Sequence, residues 1–71
     1  MRAFEIQSGM RFYDESNGRD ILVENVSGKV AVCLVTETEW NTETDEVKEV
    51  EDAALFTTQE LTHFSYKGVS A

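Results

Sequence analysis

The chain contains no proline, one cysteine and one histidine in 71 residues. A single cysteine closes no intramolecular disulfide, which excludes a disulfide scaffold. One cysteine and one histidine also fall short of the four ligands of a structural zinc site. No apolar run approaches the roughly 18 residues of a membrane span. The opening MRAFEIQSGM lacks the apolar core of a secretory signal. No membrane partner and a cytoplasmic location are therefore expected. Bases are scarce as well: 6 against 14 acids give a formal net charge of −8. That balance disfavours direct binding to a phosphate backbone. Glycine-rich phosphate loops, nucleotide fingerprints and nucleophile elbows are all missing. A chain this short also has little room for a pocket of roughly several hundred Å³. No catalytic residue, metal or cofactor is expected, and the chain reads as a non-enzyme.

What is present is enough for one small domain spanning 1–71. Hydrophobic residues make up 41% of the chain, too many for a disordered tail. A compact fold of this mass exposes roughly 4,500 Å². The residues Lys67-Gly68-Val69-Ser70-Ala71 read as a loose tail.

Local patterns predict four or five short antiparallel strands. Met10-Arg11-Phe12-Tyr13 alternates, and Asn17-Gly18 is a strong two-residue hairpin signal. Arg19 to Val26 follows, then a turn at Ser27-Gly28-Lys29. Val30 to Trp40 is the longest candidate strand. Its first half is apolar on both faces, and its second half, Thr36-Glu37-Thr38-Glu39-Trp40, alternates. In the stretch Glu46 to Asp52, Val47 and Val50 lie three apart, which predicts a bulge or a strand end between them. Thr57 with Glu60 three residues on forms a capping-box pattern, flanked by Phe56 and Leu61, for a helix over about Thr58 to Phe64. In so short a chain these elements predict a partly open five-strand barrel ending in a short helical turn.

The order Gly-Met-Arg-Phe-Tyr-Asp, a turn, Ile-Leu-Val-Glu-Asn-Val, Gly-Lys-Val, an acidic hairpin, then Leu-Phe-Thr-Thr-Gln-Glu-Leu resembles the small SH3-like barrel proteins of bacteria and their phages. The resemblance covers roughly Ser8 to Phe64. It implies a curled five-strand antiparallel sheet with a short helix before the last strand, and a binding or adaptor role. It carries over no catalytic residue.

Charge layout is the most informative feature. Residues 1–36 hold five acids and four bases, residues 37–52 hold eight acids and one base, and residues 53–71 hold one of each. Glu37 and Glu39 point the same way on a strand, about 7 Å apart, close to the spacing of phosphates along a nucleic-acid strand. Held like charges repel, and a basic partner relieves that cost. The hairpin is either a docking surface for a basic protein or a solvated edge that keeps the protein soluble. The docking reading assigns Glu37, Glu39, Glu43, Asp45 and Glu46 to the partner's lysines and arginines and Trp40 to an apolar anchor. The partner would then be a basic protein, such as a nucleic-acid-binding enzyme, inhibited by mimicry as by anti-restriction or anti-CRISPR proteins. The competing reading is a structural or adaptor piece, making contact through an edge strand or Ala53–Phe56. The oligomeric expectation is a monomer or weak homodimer.

Trp40 either caps the core or stands exposed beside the acids. Asn41, Glu43, Asp45 and Asp52 echo a calcium loop, but Glu46 occupies the obligatory glycine position, so no tight calcium binding is expected. Phe12 and Tyr13 cannot both face inward, which places Phe12 in the core and Tyr13 at the rim, with Tyr66 as a further candidate for an aromatic groove. Cys33 reads as a small buried hydrophobe and His63 as a helix-end surface residue.

Overall fold

The computed structural model describes residues 1–70. A single 3₁₀ turn, Ala3–Glu5, precedes five strands: β1 (Met10–Asp14), β2 (Arg19–Ser27), β3 (Val30–Asn41), β4 (Glu46–Thr57) and β5 (Ser65–Val69). One helical turn, α1 (Thr58–Leu61), joins β4 to β5. The strands form one sheet in the order β4-β3-β2-β1-β5, with every neighbouring pair antiparallel.

The five-strand sheet and terminal helical turn match the sequence expectation, but the sheet does not close into a barrel. β5 pairs with β1, leaving β4 and β5 as the two edges among the described residues. Side chains fill the seam where a barrel would close. Phe56 of β4 meets Phe64 edge-on at 5.7 Å between ring centroids. Two irregularities interrupt the pairing: a register shift between Val23 and Asn25 of β2, and another where β1 meets β5.

Alternation assigns the inner face. Phe12, Ile21 and Val35 sit side by side on three strands, and Val23 lies beside Cys33. With Ile6, Ala31, Phe56 and Leu61 these residues form the buried core. Phe12, at 1% exposure, is stabilised by roughly 1.5–3 kcal/mol through burial. Leu61 reaches this core because α1 is firmly started. Thr57 accepts from the Glu60 amide at 3.1 Å, and the Glu60 carboxylate accepts from the Thr57 amide at 3.0 Å. Only four residues are helical, fewer than expected; the chain turns at Thr62 and re-enters the sheet at Ser65.

Three further expectations are corrected. The Asn17-Gly18 turn is not a two-residue loop, because Asp14 pairs with Arg19 and encloses four residues. The buried Asp14 carboxylate accepts from the amides of Ser16 and Asn17, the Asn17 side chain and Arg19 Nε. That set of bonds selects the longer loop, and Gly18 alone takes the left-handed conformation there. No bulge separates Val47 from Val50: β3 and β4 pair without a break from Val30↔Thr57 to Asn41↔Glu46. The residues Lys67-Gly68-Val69 are not a loose tail but the end of β5, and the Ser70 amide donates to the Gly9 carbonyl at 2.6 Å. Ala71 of the expected tail lies outside the described residues.

Candidate functional site: an acidic two-strand arm

β2 begins at Arg19, opposite Glu37. Beyond that point β3 and β4 continue without a third strand, from Thr38↔Glu49 to Asn41↔Glu46. The result is an arm. It extends the molecule to 44 × 22 × 18 Å and raises the radius of gyration to 13.2 Å. A compact chain of this length has a radius of about 11 Å. Exposed surface rises correspondingly to 5088 Å².

A four-residue turn, Thr42 to Asp45, closes the arm. Asn41 Oδ1 accepts from the Glu43 amide at 3.0 Å. Asp45 adopts φ 57°, a conformation that short polar side chains tolerate better than most. Its carboxylate accepts from the Trp40 indole N–H at 3.1 Å. Trp40 is 62% exposed, which excludes the core-capping alternative and leaves it displayed at the tip opposite Val47, itself 63% exposed.

The arm has two chemically different faces. The face continuous with the core carries Glu37, Glu39 and Asn41 of β3, paired with Val50, Lys48 and Glu46 of β4. The outer face carries Thr36, Thr38 and Trp40, paired with Glu51, Glu49 and Val47. The six predicted contact residues are thus divided. Glu37, Glu39 and Glu46 share one face, Trp40 points to the other, and Glu43 and Asp45 lie in the turn. Two of the carboxylates have local cations: Arg19 Nη1 lies 4.0 Å from Glu37 and Lys48 Nζ lies 3.8 Å from Glu39. The acids sharing the outer face with Trp40 are Glu49 and Glu51. Alternation counted from Trp40 across the turn would have found them, had the unbroken register been known.

The remaining candidates separate cleanly. Arg19 joins Asp14 to Glu37 and lies 5.8 Å from the centre of the Phe56 ring, so it braces the base of the arm. Asp14 titrates below the ordinary carboxylate range, owing first to the Asn17 side-chain hydrogen bond and then to Arg19. Cys33 is fully buried, and burial, reinforced by Glu24, pushes its thiol up to about 11. His63 is exposed. Phe12 is buried and Tyr66 is 44% exposed, their rings 5.5 Å apart, while Tyr13 is half-buried. Contrary to the expectation of little room, an open cleft of about 760 Å³ lies between the 3₁₀ turn and the β4–α1 junction, with Phe4, Ile6, Val26, Lys29 and Thr58 on its walls. Among the described residues, no group of three or more His, Cys, Asp and Glu side chains is arranged to hold a metal ion, and no helix is long and apolar enough to cross a membrane. Comparison with protein-family models, curated proteins and solved structures finds no match for the chain.

Proposed function

We propose that the protein is a small acidic interaction module that docks a basic surface of a partner protein through the β3–β4 arm. The observation that carries this reading is the arm itself. Beyond the third strand, residues 38–49 bring five carboxylates and one lysine around a solvent-exposed tryptophan. Like charges held on a narrow ribbon destabilise the free protein slightly, and a cationic partner removes that repulsion. Field steering accelerates the encounter, and an aromatic anchor supplies apolar contact at its centre. A nucleic-acid-binding enzyme fits this chemistry as a partner, and mimicry of a phosphate backbone by the carboxylates would make the module its inhibitor. The strand order, with a helical turn before β5, supports an SH3-like relationship in which the sheet is curled but open.

A structural or adaptor role is the second reading, favoured by Leu55, which is 70% exposed on the edge strand β4. Capture from lysate of the source or host cell tests the two together. The native protein is compared with the variant E37Q/E39Q/E43Q/D45N/E46Q/E49Q/E51Q, which neutralises both faces of the arm and its turn. A basic protein retained by the native chain, released by salt and lost by the variant supports the docking reading. A partner retained equally by both, at high salt as at low, overturns it in favour of the structural reading.

A further inference from the structure

The solvent side of an antiparallel sheet is ordinarily polar. Here the outer face of β3 and β4 is polar only in its middle. At its base Val32 stands opposite Leu55 and Leu34 opposite Ala53, with Leu22 of β2 beside Leu34. Val30, Val32 and Leu55 are 43%, 40% and 70% exposed. The next two pairs outward are Thr36↔Glu51 and Thr38↔Glu49. The last is the exposed pair Trp40↔Val47. One continuous face therefore reads apolar, acidic, apolar. Among the described residues neither Glu49 nor Glu51 has an ion-pair partner.

A sheet normally buries an apolar face against a second layer. The inner face has one, in α1 and the chain before β1. Among the described residues the outer face has none. A second copy packed face to face about a twofold axis would set Glu49 and Glu51 of both chains together without a cation, so charge argues against it. The same acids suit a partner that is basic between two apolar ends. Its form follows from dimensions. The apolar base spans three strands, about 10 Å across, which matches the width of a helix. From Val32, opposite Leu55, to Trp40 is eight residues, about 26 Å of strand, which a helix covers in about 18 residues.

We infer that this outer face docks an amphipathic helix of the partner, whose apolar residues sit at both ends of one stripe and whose lysines or arginines lie between them. The inference rests on the acidic-docking reading and narrows it. Glu49 and Glu51, rather than Glu37 and Glu39, meet the cations, while Trp40 and Leu55 anchor the two ends.

The test uses the full chain and a synthetic helical peptide of about 18 residues, ~27 Å long. One face of the peptide carries leucine in its first and last turns and lysine in the middle turns. A scrambled peptide of identical composition is the control. Binding is followed by the emission of Trp40, the sole tryptophan. The patterned peptide is expected to bind at least about tenfold more tightly than the scrambled one. E49Q/E51Q weakens it by about tenfold, Leu55→Ser by about fivefold, and E37Q/E39Q, with the same change in net charge, by less than about twofold.

Equal losses from the two charge pairs would overturn the face assignment while leaving general acidic docking standing. Equal binding of both peptides, or no saturable binding of either, would overturn the helix. A dimer in sedimentation that Leu55→Ser abolishes would show that a second copy is the occupant, also overturning the proposal. Because Leu55 is exposed, its variant keeps the fold, which circular dichroism checks.

Discussion

Leu61→Ala probes whether α1 is an integral part of the fold. Leu61 is fully buried and is the main apolar anchor of a four-residue helix. Truncating a buried leucine to alanine costs about 2–5 kcal/mol, through lost transfer energy and the cavity left behind. A domain of this size holds roughly 4–10 kcal/mol in total. A loss of about 3 kcal/mol lowers Tm by roughly 12–24 °C, since each kcal/mol moves a small domain by roughly 4–8 °C. The variant is therefore expected to be folded but marginal at room temperature. Urea and thermal unfolding followed by far-UV circular dichroism measure this. Trp40 fluorescence does not, because that indole is exposed in the native state. A loss below about 1 kcal/mol with unchanged denaturant dependence would show that α1 is not docked on the core, and that the capping box holds an isolated turn.

Trp40→Ala is expected to change stability by less than about 0.5 kcal/mol, because the indole is displayed rather than packed; a larger fall in the urea midpoint would place it in the core. Asp14 titrates lower in the folded than in the unfolded chain, so its contribution is complete above the unfolded value of about 3.9 and is lost as pH falls through the lower folded value. The urea midpoint of the native protein should fall through that acid range, and that of Asp14→Ala should fall less steeply. Cys33, with its thiol raised to about 11 and fully buried, is expected to resist a thiol reagent until urea unfolds the chain. Labelling at the rate of a free thiol in the native state would contradict this. Calcium should not bind with a Kd below about 10 µM, as calorimetry would show, because Glu46 stands where a calcium loop requires glycine and leads directly into β4.

Composition, alternation and capping chemistry determined much by themselves. The concentration of acids between residues 37 and 52 is a property of the chain alone. The capping box of Thr57 and Glu60 was legible because both partners lie within one turn, the inward face of Phe12 followed from alternation with Tyr13, and the burial of Cys33 followed from its apolar neighbours. Tertiary structure decided what depends on residues far apart. Whether the sheet closes turned on whether β5, paired with β1, also reaches β4, which no local pattern encodes. The Asn17-Gly18 signal was overridden because Asp14, buried by the fold, gathers the loop amides and Arg19 around its carboxylate. Trp40 could be read as core or contact from alternation, since alternation gives a side and not what covers that side; the end of β2 at Arg19 left it in solvent. The unbroken β3–β4 register then put Glu46 on the face of Glu37 and Glu39 and brought Glu49 and Glu51 to the face that displays Trp40, because residues paired across two strands share a face.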